Sequence, residues 1–271
     1  MKLTVLGSAA AEGWPALWCT CEVCRDAGVR GGPDVRMRSA YSIDGQVQID
    51  FGPDALVQMW RFGIDHAKTR HLFITHSHDD HFLPLNLLFR QPGFAKLPEG
   101  NVLRLYGNDM VRHVTDQSHV TRSLAQIEFE LIEPFRPVQA GDLRVTPVLA
   151  DHGGDEIAVT YLAESASGSI LQANDTGWFP DATWEYLKGR RIDAVLLDCT
   201  YGRTSCRESH LGGPEVIETR AEMLSRGALA DDGRVIVTHL SHSGGLLHRE
   251  LCEYFAPHAI EVAYDGMVIE V

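Results

Sequence analysis

Short runs of apolar residues, separated by turns rich in Gly, Pro, Asp and Asn, dominate the pattern of this chain. Residues 46–51 and 142–149 alternate apolar and polar side chains, which is typical of half-buried strands. Other runs are short, continuous and bounded by turn residues, as buried strands are. The predicted strands cover residues 2–7, 46–51, 71–75, 102–106, 126–132, 142–149, 156–163, 168–173, 193–198, 234–237, 260–264 and 267–270.

Longer segments between these strands predict helices, because their apolar residues recur with a helical spacing. The predicted helices cover residues 54–63, 83–90, 108–125, 182–189, 214–226 and 245–255. Two rounds of several strands followed by helices suggest two similar halves. We therefore expect an α/β fold in which two packed sheets have helices outside them and share one edge cleft.

In residues 8–38 the apolar residues follow neither the alternation of a strand nor the spacing of a helix. The stretch is rich in Gly, Pro and Cys, which predicts a long irregular loop. It contains Cys19, Cys21 and Cys24 in a C-x-C-x2-C spacing. Thiolates this close suit a tetrahedral zinc site, which needs four ligands, so the fourth would come from elsewhere in the chain. A zinc ion would explain how such a loop stays ordered. The alternative is three free or oxidisable thiols.

The seven residues from Thr75 to His81 carry three imidazoles and two carboxylates, directly after an apolar run and before a Leu-rich segment. So many charged and metal-binding groups at a strand-to-helix turn predict a pair of divalent metal ions. His76 and His78 are two apart, so an extended backbone points both to one side. Asp80 and His81 turn toward another point and form a second half-site. The alternative is a solvated His-rich turn.

Three later positions place His or Asp directly after predicted strands: His152, Asp175 and His239. A carboxylate has two oxygens, so Asp175 is a candidate bridge between two ions, although Asp-Thr-Gly is also good turn chemistry. The predicted ligands are His76, His78 and His152 for one ion and Asp80, His81 and His239 for the other, with Asp175 between them. Mixed nitrogen and oxygen ligands suit zinc, manganese or iron.

Composition narrows the classes of function. The formal net charge of -13 disfavours binding to long nucleic acids, which rests on Lys and Arg. No apolar run approaches the roughly 18 residues of a membrane span, and the first apolar run is too short for a signal peptide. We therefore expect a cytoplasmic protein that binds no membrane. Six cysteines in such a chain indicate metal ligands or buried thiols rather than disulfides.

The H-x-H-x-D-H order of residues 76–81 resembles the metallo-β-lactamase-fold hydrolases. The resemblance implies an αββα sandwich of two mixed β-sheets flanked by helices, formed as a single domain over residues 1–271. It favours the bridging role of Asp175. It also implies that Asp50, at the end of the predicted strand 46–51, lies behind a metal-ligating His and fixes its tautomer. The alternative for Asp50 is a surface cap.

Three further motifs narrow the resemblance. The C-x-C-x2-C cluster, Thr238-His239-Leu240-Ser241-His242 and Tyr264-Asp265-Gly266-Met267 are similar to the PhnP-type phosphodiesterases of phosphonate catabolism. In that group the cysteines and the second His of T-H-x-S-H hold a structural zinc. Here that zinc would fall to Cys19, Cys21, Cys24 and His242. The resemblance also implies that His210 protonates a leaving oxygen or steadies a phosphate; the alternative is a surface His.

The resemblance implies hydrolysis of a small cyclic phosphodiester such as 5-phosphoribosyl 1,2-cyclic phosphate. A hydroxide that bridges the two ions would attack, and Asp80 would act as both ligand and catalytic residue. Arg203 and Arg207 are candidate contacts to a terminal phosphate, or else solvated loop charges. The alternatives are a tRNA 3'-end type endonuclease, a thioester or lactone hydrolase of the same fold, and a non-catalytic zinc-binding module. The expected partner is a small phosphorylated substrate, and a homodimer is left open.

Overall fold

Fourteen β-strands form the centre of the molecule. The computed structural model describes residues 1–271. The strands are β1 (Lys2–Gly7), β2 (Ala40–Ile43), β3 (Val47–Ile49), β4 (His71–Phe73), β5 (Leu103–Gly107), β6 (Ile127–Leu131), β7 (Val138–Ala140), β8 (Leu143–Leu149), β9 (Val159–Glu164), β10 (Ser169–Ala173), β11 (Ile192–Asp198), β12 (Leu229–Thr238), β13 (Ile260–Val262) and β14 (Val268–Glu270).

Seven α-helices and three short 3-10 turns connect the strands. The helices are α1 (Glu22–Arg30), α2 (Ala55–Phe62), α3 (Leu85–Leu88), α4 (Asp109–Gln117), α5 (Asp181–Leu187), α6 (Gly213–Ser225) and α7 (His248–Phe255). None of them combines the length and the apolar character that a bilayer-spanning helix requires.

The strands form two seven-stranded mixed sheets. The first has the order β14-β1-β2-β3-β4-β5-β6 and the second the order β13-β12-β11-β10-β9-β8-β7. In the first sheet β3, β4, β5 and β6 are parallel, and in the second β10, β11, β12 and β13 are parallel. Each half of the chain therefore builds one sheet, except that the last strand, β14, crosses over to pair with β1.

Apolar side chains from both sheets fill the space between them. This interior contains 22 buried residues, including Phe73, Tyr106 and Tyr161. The rings of Phe73 and Tyr106 stack with centroids 4.3 Å apart, and Tyr161 meets Phe73 edge-on at 5.3 Å. Burial of one such ring contributes on the order of 1.5–3 kcal/mol. The central strands show continuous apolar runs because both of their faces are covered.

The helices cover the outer faces of the two sheets. A cluster of 29 buried residues joins the second sheet to α1, α5, α6 and α7, and a cluster of 10 joins the first sheet to its helices. The resulting order of layers is helix, sheet, sheet, helix. The expected fold class, two packed mixed sheets flanked by helices, is confirmed.

The expectation of an irregular loop over residues 8–38 is wrong. The segment contains α1 and buries Trp14, Cys24 and Ala27 in the cluster below the second sheet. Only Cys24 and Ala27 of the helix are buried, so its apolar period is too short to see in the sequence. The sulfur of Cys21 caps the helix by accepting the backbone N–H of Cys24. The cysteine cluster therefore organises the helix.

Smaller differences concern element boundaries. The short strands β2 and β7 have no counterpart in the predicted set, and α4 ends at Gln117, before the predicted residue 125. Strands as short as the three-residue β7 have too few positions for an alternating pattern to be recognised in the sequence. β3 and β4 end at Ile49 and Phe73, two residues before the predicted ends at 51 and 75, so Asp50 and His76 lie in the turns that follow these strands.

Candidate metal centre

The turn that follows β4 is held from below by Asp50, which follows β3. Asp50 Oδ1 accepts the backbone N–H of Thr75 at 2.9 Å, and Oδ2 lies 2.8 Å from Nδ1 of His81. Asp50 is fully buried. A carboxylate on Nδ1 leaves Nε2 of His81 as the free ring atom that faces the site. Gly52 allows this approach, because a Cβ there would overlap the backbone oxygen of Asp80.

His76, His78 and His152 converge on one point. Nε2 of His76 lies 3.0 Å from Nδ1 of His78, and Nε2 of His152 lies 3.3 Å from the same atom. Asp175 reaches this group too, with Oδ2 at 3.3 Å from Nε2 of His76. His76 and Asp175 are buried, whereas His78 is exposed, so the group opens to solvent on the His78 side. The structure thus brings together the first predicted ligand set.

Asp80, His81 and His239 converge on a second point beside the first. Nε2 of His81 lies 3.1 Å from Oδ2 of Asp80 and 2.9 Å from Oδ2 of Asp175. Nε2 of His239 lies 3.7 Å from the same oxygen of Asp175. Asp175 is therefore shared by both groups, in the position predicted for a bridge. Burial would raise the pKa of Asp175, but His239, His76 and His81 hold it well below its usual range.

The side chains fit a pair of metal ions. Nε2 of His81, Nε2 of His239 and Oδ1 of Asp175 are buried and face neighbouring ligand atoms without forming a hydrogen bond of good geometry, which is costly unless something else binds them. Around a tetrahedral ion with bonds of about 2.0–2.1 Å, neighbouring ligand atoms are about 3.3 Å apart. Most of the separations above lie close to that value, and within each group all ligand atoms lie within 4.8 Å of one another. The role of these residues as ligands stays a prediction.

Three site residues at strand ends have an unusual backbone. Asp50, Asp175 and His239 have positive φ angles of 62°, 56° and 55°. Side chains other than glycine rarely adopt this conformation, and each instance costs on the order of 1–3 kcal/mol. Such strain persists where the surrounding structure imposes it, as it does here by turning the chain sharply at the cleft. The strain supports a functional role for this edge of the sheets.

Asp198 is a site residue that the sequence analysis did not single out. It ends β11 and is fully buried. Its Oδ2 lies 3.1 Å from Nδ1 of His210 and 3.1 Å from Nδ1 of His239, while Oδ1 accepts the backbone N–H of Leu211 at 2.8 Å. Asp198 therefore orients both imidazoles. The sequence pattern that could have identified Asp198 is the one that identified Asp50 and Asp175, namely an Asp at the end of a predicted strand.

His210 lies within the cleft and not on a surface loop. Its ring stacks on His239 with centroids 5.5 Å apart, and Nδ1 lies 3.2 Å from Oδ1 of Asp175. Burial opposes its charged form, but Asp198, Asp175 and Asp80 outweigh burial and raise the pKa of His210 to about 9. This raised pKa applies to the protein without bound ions, because Asp175 and Asp80 contribute to it. Its position against Asp175 and Asp198 places His210 to donate a proton or to contact an anion in the cleft.

The surroundings of Arg203 and Arg207, two arginines of the same loop, do not support the predicted contact to a terminal phosphate. Arg207 pairs with Glu218 at 2.6 Å, and its guanidinium lies 3.7 Å above the ring of Trp178. Arg203 is exposed. Both arginines therefore fit the alternative interpretation, in which they are solvated or surface-paired charges.

Glu156 links the loop that carries His152 to the turn between His76 and His78. It accepts the backbone N–H of Ser77 at 2.9 Å and the Ser77 hydroxyl at 2.7 Å. Its other oxygen accepts the side-chain amide of Asn108 at 2.6 Å. Burial alone would raise the pKa of Glu156, but these hydrogen bonds outweigh it and lower that pKa. Glu156 was not a predicted site residue, because its contacts cross between the two sheets.

We expect Glu156→Gln to weaken metal binding at the His76, His78 and His152 group about tenfold or more, since outer contacts of ligands typically contribute that much. A glutamine must aim an N–H group at Ser77 or Asn108, which are themselves donors at this point. Calorimetric titration of the metal-free protein with zinc would measure this change in affinity. Asp155→Asn, which alters an exposed neighbour, is the control. Unchanged affinity for both ions would contradict the role of Glu156.

Cys19, Cys21, Cys24 and His242 form a separate group on the loop side of the molecule. Nδ1 of His242 lies 3.6 Å from Sγ of Cys19 and 3.6 Å from Sγ of Cys21. Bonds of about 2.3 Å to sulfur and 2.1 Å to nitrogen put such ligand atoms about 3.6 Å apart around a tetrahedral zinc. All six cysteines are free of disulfides. The group therefore fits a closed four-ligand zinc site.

Two cysteines of this group differ strongly in acidity. The backbone N–H of Cys24 donates to the Cys21 sulfur and, with smaller contributions from Cys19 and His242, lowers the pKa of the Cys21 thiol to about 6. Burial raises the pKa of Cys24 to about 12. Cys21 is thus a thiolate at neutral pH, the form that binds metal and reacts with electrophiles.

In zinc-free protein, we expect alkylation of Cys21 by iodoacetamide to rise with pH through a midpoint near 6. The thiolate is the reacting species, so the rate increases as the thiol loses its proton. Mass spectrometry of the alkylated peptides at several pH values measures the midpoint, and zinc should protect the residue. Cys21→Ser should lose the fast phase. A fast phase that persists in Cys21→Ser, or that starts only near pH 9, would contradict the assignment.

Comparison with known proteins agrees with this geometry. The β-lactamase superfamily domain family matches residues 46–240. An octanoyltransferase of Porphyromonas gingivalis is 26% identical over 98% of this chain and 51% of its own length, so the chain spans about half of that relative. The structure of a diphosphatase from the PhnP family is 30% identical, with a TM-score of 0.78 over 100% of this chain and 97% of that one.

A further solved structure shows the fold alone. The zinc-bound PqqB of Methylobacterium extorquens has a TM-score of 0.78 over the whole of both chains, at 17% identity. The family match covers well over half of the residues and includes both groups of His and Asp side chains. The chain therefore belongs to the β-lactamase superfamily and has the metallo-β-lactamase fold, with His and Asp clusters that could hold metal ions.

Proposed function

We propose that the protein is a phosphodiesterase that depends on two divalent metal ions and hydrolyses a small, cyclic phosphodiester such as 5-phosphoribosyl 1,2-cyclic phosphate. The observation that carries the proposal is Asp175, whose carboxylate lies between two triads of His and Asp side chains. The similarity to the diphosphatase from the PhnP family, at 30% identity over the whole chain, supports a substrate whose scissile bond joins phosphorus to oxygen.

In this proposal seven side chains hold the ions, which are zinc, manganese or iron. When bound, two such ions lower the pKa of water and stabilise the attacking and leaving oxygens of a displacement. Asp50 and Asp198 orient the imidazoles of His81 and His239 by accepting their Nδ1–H groups. The proposed ligands are His76, His78, Asp80, His81, His152, Asp175 and His239.

The cavity next to His152 supports a small substrate. It has a volume of about 370 Å³ and is bounded by the loop of residues 149–158, Pro180 and Ser209. No Lys or Arg lines it, whereas Asp151 and Glu156 do. Such a wall suits the hydroxyl groups of a sugar better than a polyanionic nucleic acid strand, which also agrees with the net charge of -13. It offers no cation to a terminal phosphate, so the comparison of 5-phosphoribosyl with ribose 1,2-cyclic phosphate tests whether that group contributes to binding.

His210 would donate a proton to the leaving oxygen in this proposal. We expect His210→Ala to lower kcat about 100-fold for a diester with an alkyl leaving group, because general acids typically contribute 10²- to 10⁴-fold. The loss should be under about tenfold for a p-nitrophenyl ester, whose leaving oxygen needs no proton. His113→Ala, at an exposed histidine, is the control. Equal losses for both substrates would instead assign His210 to phosphate binding.

The experiment that tests the proposal is hydrolysis of 5-phosphoribosyl 1,2-cyclic phosphate by the purified protein with manganese or zinc. Asp80→Ala serves as the blank, and ribose 1,2-cyclic phosphate as a substrate that lacks the terminal phosphate. Turnover that disappears in the variant supports the phosphodiesterase. Absence of turnover with either compound in protein that carries both ions would overturn the substrate class and favour a thioester or lactone hydrolase.

A further inference from the structure

A second cavity lies away from the metal centre, on the outer face of the first sheet. It has a volume of about 590 Å³, and 12 of its 20 lining residues are hydrophobic. Helices α2 and α3 form two walls, with residues 64–69 and 95–97 closing the others. Its size falls within the range of about 300–1,000 Å³ for small-molecule sites. None of the metal-centre residues lines it.

Much of the floor and walls of the cavity is apolar. Leu72, Leu87 and Leu103 are buried beneath it, and Phe51 and Met59 line its sides. These apolar side chains offer no hydrogen bonds to the water that would fill the cavity beside them. Displacing that water with an apolar molecule is favourable by roughly 25 cal/mol for each Å² of apolar surface removed from it.

The rim of the cavity is also apolar, although the protein is highly charged. Leu56 and Phe89 line it and are 72% and 53% exposed, and Trp60 and Phe94 nearby are 84% and 61% exposed. Clusters of exposed large apolar side chains mark binding sites more often than ordinary surface. The rim therefore extends the apolar wall outward, as an elongated ligand would require.

One charged group in the cavity wall is fixed in place without a charged partner. The Arg90 guanidinium donates to the backbone oxygen of Ala125 at 3.0 Å and to that of Asn101 at 2.8 Å, and it forms no ion pair. A second arginine, Arg70, lies close by and has a buried, unpartnered Nη1. Burial, together with the charge of Arg70, lowers the pKa of Arg90. The wall thus carries uncompensated positive charge.

The other charged residues around the cavity add to its excess of positive charge. Lys96 lines the cavity, is exposed and forms no ion pair. Asp65, the one acidic residue in the lining, pairs with Lys68 at 3.5 Å and accepts the backbone N–H of Ala67. In a chain of net charge -13, an apolar cavity with two unpaired cations and a compensated acid is complementary to an anion with an apolar body.

We propose that this cavity binds a single-chain amphiphile with an anionic head, whose hydrocarbon body lies between α2 and α3 and whose carboxylate or phosphate contacts Arg90 and Lys96. Both head groups share the chemistry that a guanidinium recognises, a planar or tetrahedral arrangement of anionic oxygens. The inference is independent of the phosphodiesterase proposal, because the cavity shares no residue with the metal centre.

The test is calorimetric titration of the intact protein with decanoate and with decyl phosphate, each below its critical micelle concentration. Decanol and decyltrimethylammonium are the neutral and cationic probes of the same chain length. We expect binding of the two anions at one site, at least about tenfold weaker binding of decanol, and no binding of the cation. The better of the two anions identifies the head group.

Variants locate the site. Lys96→Gln and Arg90→Gln should each weaken binding of the preferred anion, Arg90→Gln by about tenfold or more. Arg61→Gln is the matched control, since Arg61 is an exposed arginine outside the lining. Met59→Trp, which fills the cavity without removing charge, should abolish binding of both anions. Asp80→Ala should bind them like the parent.

Three results would overturn the inference. One is equal binding of decanol and decanoate, which would show that Arg90 and Lys96 do not contribute to recognition of the ligand. Another is undiminished binding to Met59→Trp in protein that melts like the parent, which would place the ligand elsewhere. The third is failure of every probe to bind. Because none of these results depends on turnover, failure of this inference is distinguishable from failure of the phosphodiesterase proposal.

Discussion

Replacing Asp80 by alanine is expected to lower phosphodiesterase turnover by at least about a thousandfold, equivalent to about 4 kcal/mol of transition-state stabilisation. The variant should bind one metal ion at the active site where the parent binds two. Asp80 contributes Oδ2 to the second group at 3.1 Å from Nε2 of His81, and no other carboxylate there can replace it without leaving the bridge. Turnover and metal content, measured on the same sample, check the expectation.

The fold should survive this change. The Asp80 side chain is part of the cleft, and the one ion pair that it forms is with His81. Asp79→Ala is the matched control, because Asp79 is an adjacent, exposed carboxylate that contacts neither group. If Asp80→Ala kept both ions and its activity, the assignment of Asp80 as a ligand would be wrong. If Asp79→Ala lost activity too, the effect would be one of local charge.

Replacing Cys21 by alanine is expected to destabilise residues 8–40 more than it impairs the active site. The variant removes one of four candidate zinc ligands and the cap of α1, whose first turn depends on the Cys21 sulfur. Loss of a cap alone costs about 0.5–2 kcal/mol, and loss of a structural zinc costs more, because the binding energy of such an ion is folding energy. The melting temperature should fall by several degrees or more.

Three measurements separate this effect from damage to the active site. The variant should bind one zinc ion fewer than the parent, melt earlier, and retain kcat within about tenfold at a temperature where it is folded. Cys252→Ala is the control, because Cys252 lies outside all the clustered groups. A Cys21→Ala protein that melts like the parent and keeps its full zinc content would exclude the structural zinc.

The seven candidate ligands show how far local pattern reaches. They were found as His or Asp residues in the turns that follow short apolar runs, four of them in the single turn of residues 75–81, and the structure brings all seven to one edge of the two sheets. The reason is geometric. Parallel strands end on the same side of a sheet, so residues that follow them meet at its edge even when they are far apart in sequence.

Asp198 and Glu156 show where local pattern stops. Asp198 follows a strand as Asp175 does, but an Asp at such a position is equally good turn chemistry, and only its 3.1 Å contacts with His210 and His239 distinguish it. Glu156 contacts Ser77 across 79 positions of sequence, which no local period records. Contacts of this kind depend on how the two sheets pack.

The sequence by itself determined two packed sheets with outer helices, most strand positions and the side chains that gather at the cleft. These follow from short-range rules, namely which residues alternate, which runs are apolar and which residues end a strand. The mixed character of the sheets came from the resemblance of the H-x-H-x-D-H motif to a known family. Tertiary structure alone decided that α1 forms at the cysteine cluster, that Asp198 and Glu156 support the site, and that Arg90 faces an apolar cavity. Each of these depends on contacts between segments distant in sequence, whose energies no local pattern contains.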